Sequence, residues 1–152
     1  MKPLGVEHLK ITKKLADIES DVILQRMLLI KNKSIVRAYM INGYDFASRD
    51  IGGDSDPYLK LRIGDQVYNE REKYIVDEPN PDFYEKYDFQ TVFPGCPPLQ
   101  IDAMDFDHLF GDDLIGSTEV DLEDRYFLPE WRALKDKPIE IRRLFHPSSQ
   151  VS

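Results

Sequence analysis

Apolar side chains recur at every second position in two separated stretches of this chain, Leu59, Leu61 and Ile63 in one and Leu99, Ile101 and Ala103 in the other. A period of two belongs to a β-strand, whose successive side chains point to opposite faces, and it does not fit the 3.6-residue repeat of a helix. Such rows have to bury one face of a sheet and leave the other in water. The pattern continues at Val36, Ala38 and Met40, at Tyr87 and Phe89 within Tyr84 to Phe93, at Leu114, Val120 and Leu122 or their neighbours, and at Ile139 and Ile141. Turn and breaker residues divide the rows at Asn42-Gly43, Gly64-Asp65, Pro79-Asn80-Pro81 and Pro94 to Pro98. With two short strands expected between Val67 and Val76, the total is about eight strands, which suits an all-β antiparallel sandwich.

The N-terminus follows another period. Ile11, Leu15, Ile18 and Val22 recur at helical spacing, which predicts an amphipathic helix from Leu9 to about Ile30. After Asp21 the run V-I-L-Q-R-M-L-L-I is nearly continuous in apolar residues and reads equally as a strand or as a helix end packed on the sandwich. The expected division is a helical extension over residues 1–33 and a β domain over 34–149. Arg125 to Leu134, which holds Trp131, reads as a short helix or an irregular crossover.

Two of the strand rows adjoin acidic loops. S-R-D-I-G-G-D-S-D-P-Y-L (Ser48 to Leu59) leads into the first row, and D-A-M-D-F-D-H-L-F-G-D-D-L-I-G-S (Asp102 to Ser117) follows the second. Asp50 and Asp56 flank a Gly-Gly turn, Asp105 and Asp107 alternate and therefore share a face, and Asp113 follows. Two like charges about 4 Å apart cost roughly 4 kcal/mol at an effective dielectric near 20, so carboxylates gathered in one cup call for a cation. Hard oxygen ligands without Cys or His select calcium over zinc or copper. The competing reading is a pair of Asp-rich surface turns, since Asp and Gly favour turns for local reasons. Asp54 and Asp112 are read as turn residues.

Charge and chemistry limit the alternatives. The formal net charge of -8 argues against nucleic acid and against acidic lipid headgroups unless cations intervene. Two bound divalent ions would reverse the local sign. Cys96 has no second cysteine to pair with, and F-P-G-C-P-P gives it no neighbouring base. His8, His108 and His146 are scattered, no Gly-rich phosphate loop appears, and no nucleophile stands beside the acidic cluster, so an enzyme is not expected. No apolar run approaches the length that spans a bilayer, so membrane contact is expected to be peripheral.

The segments D-I-G-G-D-S-D-P-Y-L-K-L, N-P-D-F (Asn80 to Phe83) and D-F-D-x5-D-L-I-G (Asp105 to Gly116) resemble a calcium-binding C2 domain, a β-sandwich that docks on phospholipid through its calcium loops. The E-K-Y-I segment (Glu72 to Ile75), V-D-L-E-D-R-Y-F (Val120 to Phe127) and K-P-I-E-I-R-R-L-F-H-P (Lys137 to Pro147) resemble the ferlins, multi-C2 membrane-fusion proteins. The resemblance covers about Ser34 to Ser149. It implies an eight-stranded sandwich of type II topology with Asp50, Asp56, Asp105, Asp107 and Asp113 as calcium ligands, joined by the main-chain carbonyls of Arg49 and Phe106. It also implies membrane contact by Ile51, Leu109 and Phe110, although Phe106 itself is expected to pack inward. Lys60 and Arg62 are candidates for a phospholipid headgroup, with Arg71 and Lys73 near them. The implied partner is an anionic phospholipid membrane, and the implied place is the cytosolic face of a vesicle or of the plasma membrane, within a larger tail-anchored protein. The alternative is a scaffold whose protein partner, or second copy, docks on the N-terminal helix, with calcium structural or absent.

Overall fold

The computed structural model describes residues 22–23, 26–48 and 53–150. Six strands form among these residues: β1 (Asn32–Asn42), β2 (Pro57–Ile63), β3 (Gln66–Asn69), β4 (Asp82–Phe93), β5 (Leu99–Asp105) and β6 (Asp113–Val120). β1 and β4 make a two-stranded antiparallel sheet, and the order β3-β2-β5-β6 makes a four-stranded antiparallel one. The predicted rows explain the core. Leu59, Leu61 and Ile63 of β2 and Leu99, Ile101 and Ala103 of β5 are all buried, and they meet Tyr87, Phe89 and Phe93 of β4. Val36, Ala38 and Met40 of β1 close the layer and are partly buried.

Turn chemistry sets the register. Gly64, at φ +55°, supplies the left-handed residue of the β2–β3 hairpin, a conformation that a side chain with a Cβ adopts at a cost. β4 carries one extra residue opposite β1 between Met40 and Asn42, and Tyr84 stands at that bulge with φ +46°. A second slip, between Ala103 and Met104, places an extra residue in β6 and brings Ile115 and Gly116 both into the interior. The two sheets are tied at one side by β3. The Gln66 amide donates to Gln90 O at 2.6 Å and accepts from Gln90 N at 2.9 Å, while the Tyr68 hydroxyl donates to Asp88 O at 2.8 Å. These side chains cover the β4 edge that would otherwise present bare peptide groups.

The expectation of eight strands is not met among the described residues. Between Val67 and Val76 only β3 is a strand, followed by a 3₁₀ turn at Arg71–Lys73. Ile139 and Ile141 alternate with charged residues, yet they are 79% and 87% exposed and enter no ladder. Alternation there has no apolar surface to cover. The segment instead lies along β6, held by the Ser117–Phe145 backbone pair at 2.8 Å in both directions and by Arg142 donating to Glu119 O at 2.5 Å. It packs so closely that a Cβ added at Gly116 would stand 2.8 Å from Leu144 Cβ. The terminal strand expected for type II topology is therefore not formed among the described residues.

Two short helices follow β6: α1 (Leu122–Phe127), capped by Asp121 accepting from Asp124 N, and α2 (Pro129–Ala133), begun by a proline. At the N-terminus residues 22–23 and 26–29 are helical, which selects the helix end over the strand. That end does not pack on the sandwich as expected, because Ile23 is 60% and Leu29 81% exposed. The remainder of the predicted amphipathic helix, before residue 22, lies outside the described residues.

Candidate metal and membrane site

The register of the four-stranded sheet places three acidic positions at one end. Pro57, the residue after Asp56, pairs with Asp105, and Asp105 pairs with Asp113. Side chains at strand ends on adjacent strands stand about 5 Å apart. The loops are joined there as well: Phe106 N donates to Asp56 O at 3.0 Å, and Asp56 N donates to Asp105 Oδ1 at 2.8 Å. Asp105 is buried, and Asp107 follows it into the loop between β5 and β6.

The donor chemistry of Asp56, Asp105, Asp107 and Asp113 fits a hard divalent cation. His108 takes no part in that set; its ring stands edge-on to Phe106 at 4.5 Å. The side chains are nevertheless not drawn into a cage. Asp56 Oδ1 accepts from Asp77 N at 2.8 Å and Asp107 Oδ1 accepts from Leu109 N at 2.7 Å, so both carboxylates are partly engaged with the main chain. Among the described residues no three His, Cys, Asp or Glu side chains form a group able to hold a metal ion. Arg49, Asp50 and Ile51 lie outside the described residues.

The tip of the second loop is apolar and bare. Leu109 is 82% and Phe110 91% exposed, and Gly111, at φ +87°, turns the chain back toward β6. Phe106, between Asp105 and Asp107, turns inward, as expected. It is 7% exposed and stacks on Tyr74 with ring centroids 3.9 Å apart.

Lys60 and Arg62 occupy the outward face of β2, away from the loops. Their cross-strand neighbours are Asp102 and Gln100, and Arg62 donates to the Gln100 side chain. Asp102 thus sets a negative charge in the middle of the expected basic face. Arg71 and Lys73 do not extend that face: Lys73 pairs with Glu70 at 2.9 Å and Glu85 at 3.1 Å, and Arg71 pairs with Asp112.

Sequence alone does not announce the Arg71–Asp112 pair: Asp112 reads as a turn residue, and Tyr58 alternates with the inward row of Leu59, Leu61 and Ile63. Tyr58 is 4% exposed, and its hydroxyl donates to Asp112 Oδ2 at 2.6 Å. Burial opposes ionisation of Asp112, but the hydrogen bonds from Arg71 and Tyr58 and from Asp107 N outweigh it and lower its pKa to about 2. Burial and the facing carboxylate together push the Tyr58 hydroxyl well above its ordinary range. No periodicity announces these partners, since Arg71 reaches the loop from a turn some forty residues earlier in the chain.

Comparison with known proteins agrees with this architecture. The family model of the C2 domain matches residues 34–137. Myoferlin of Xenopus tropicalis is 36% identical over 92 residues, covering 60% of this chain and 5% of its own length. Fer-1-like protein 4 of Mus musculus is 35% identical over 95 residues, covering 62% of the chain and again 5% of the relative. The chain thus spans about a twentieth of these relatives. Among solved structures, the paired C2 domains of Extended-Synaptotagmin 2 in their calcium-bound form are similar with a TM-score of 0.54 and 28% identity, covering 60% of this chain and 35% of that one.

Proposed function

Because the chain belongs to the C2 domain family, we propose that it is a calcium-dependent phospholipid-binding domain of a ferlin-like membrane trafficking or fusion protein, working at the cytosolic face of a membrane. The observation that carries this reading is the conjunction at one end of the sheet. Two exposed apolar side chains, Leu109 and Phe110, stand between Asp107 and Asp113, beside Asp56 and Asp105. Asp56, Asp105, Asp107 and Asp113 would hold calcium together with Asp50 and the carbonyls of Arg49 and Phe106. Bound calcium would supply the positive charge that an acidic chain lacks toward anionic headgroups, and it would leave coordination for their phosphate oxygens.

The protein's own residues do the rest. The carboxylates must turn from their main-chain partners toward the ion, and the tip residues, Ile51 with Leu109 and Phe110, then enter the acyl boundary. Burying one exposed Leu or Phe there is worth roughly 1.5–3 kcal/mol. Lys60 and Arg62 make at most a minor headgroup contact beside Asp102. The exposed helical residues Ile23 and Leu29 favour a second reading, a scaffold that binds a protein partner or a second copy through its N-terminal helix.

Co-sedimentation with phosphatidylserine-containing vesicles separates the two. The expected result is pelleting only with calcium, weakened on the order of a hundredfold in Leu109→Ser/Phe110→Ser, as about 3 kcal/mol of lost burial implies. Binding that ignores calcium, or an unaffected double variant, would exclude membrane docking by this loop.

A further inference from the structure

Asp112 is enclosed by donors on every side. Arg71 Nε and the Tyr58 hydroxyl both donate to Oδ2 at 2.6 Å, while Arg71 Nη2 at 3.1 Å and Asp107 N at 3.0 Å donate to Oδ1. A carboxylate offers about four lone-pair sites, and all are taken. Its side chain is 10% exposed, and its charge is matched by a forked guanidinium whose two nitrogens face the two oxygens. The same guanidinium lies over the Phe106 ring at 4.3 Å, and Phe106 is stacked in turn on Tyr74.

From this we infer that Arg71 and Asp112 form a clamp that holds the second acidic loop in its working shape before any cation arrives. Asp112 is a positioning residue and not a ligand. It fixes the Asp107 main chain through one hydrogen bond and adjoins Asp113 in sequence, so the clamp governs the residues on both sides of the exposed tip. Arg71 is the matching anchor, and its fork is committed to Asp112 and so is withdrawn from lipid phosphate. The inference rests on the proposed calcium reading for its consequence, but the clamp itself is made entirely by this chain's own side chains and backbone.

Charge and positioning make opposite demands on an Arg71→Leu variant. If Arg71 acted only as a nearby positive charge, its removal would tighten calcium binding, because cations repel. As a positioning residue, its removal loosens the loop and weakens calcium binding.

Two readouts on the whole chain test this. In calcium-free protein, amide hydrogen exchange over residues 107–111 should quicken at least tenfold in Arg71→Leu, while β2 and β5 keep their protection. Calcium affinity by calorimetry should fall about tenfold, with Arg71→Lys, which keeps the charge but loses the fork, lying between. Unchanged exchange in the loop, or affinity equal to or tighter than that of the parent, overturns the clamp. Should Arg71→Leu lose protection throughout, Arg71→Lys decides alone: loop-confined quickening supports the clamp, and none refutes it. If the unaltered chain binds no calcium, the calcium reading fails, while the exchange comparison still judges the clamp.

Discussion

Phe89→Ala is expected to lower the unfolding free energy by about 3–5 kcal/mol, the usual cost of removing a large buried aromatic. Phe89 is 0% exposed, lies in the middle of β4 opposite Val36 of β1, and meets Tyr68 edge-on at 5.1 Å. It therefore touches the β1–β4 sheet and the β3 side chains that join the two sheets. The cavity cannot collapse easily, because Leu61, also 0% exposed, and Tyr87 are fixed by their own strands. Domains of this size have only about 5–15 kcal/mol in total, so the variant should melt far below the parent or fail to fold at low temperature. Urea unfolding checks this, and a loss under about 1 kcal/mol would contradict the packing described. Ile139→Ala, at a site 79% exposed, is the control that should leave stability almost unchanged.

Asp105→Asn should separate two effects that are otherwise mixed. Asp105 is 4% exposed, and its Oδ1 accepts from Asp56 N at 2.8 Å. An asparagine oxygen can keep that hydrogen bond, so the loops should still meet. Without calcium the variant should be as stable as the parent or slightly more so, since one member of an acidic group has lost its charge. With calcium the outcome reverses. A full charge near a divalent ion is worth several kcal/mol even at an effective dielectric near 20, so affinity should fall on the order of a hundredfold or more. The parent gains RT ln(1 + [L]/Kd), about 2.7 kcal/mol at a hundredfold excess over Kd, and the variant should gain almost none at the same concentration. Thermal unfolding with and without calcium measures both quantities, and an equal calcium-induced rise in parent and variant would remove Asp105 from the site.

Much of the sandwich is legible in the residues because burial on one face of a strand imposes strict alternation. Leu59, Leu61 and Ile63, and Leu99, Ile101 and Ala103, obey it because a slip of one residue would turn each row into water. The same rule misleads at Ile139 and Ile141, where alternation occurs without a covering layer. The bulges at Tyr84 and Ile115 are not legible. Each inserts one residue to suit the partner strand; no glycine adjoins Tyr84, and Gly116, which adjoins Ile115, also answers to the close packing of Leu144.

The placing of Asp56, Asp105 and Asp113 at one end of the sheet follows from strand ends, and strand ends can be read. The hydrogen bonds that shape the loops are another matter. Asp112 resembles any turn aspartate until Arg71 and Tyr58 are brought to it by the path of the chain. Tyr58 illustrates the general difficulty: it belongs to the outward row by parity, yet the turn at Arg71–Lys73 and the second loop cover it. A side chain's exposure is decided by what lies across from it as much as by its own strand.

Calcium and anionic phospholipid, sharing one site as proposed, must raise each other's affinity by the same factor. Calorimetric titration of calcium into the protein, first alone and then with phosphatidylserine vesicles, tests it most directly. Binding is expected in both experiments, at least about tenfold tighter with vesicles, which corresponds to roughly 1.4 kcal/mol of coupling. The same calcium affinity with and without vesicles, or no calcium binding at all, would contradict it.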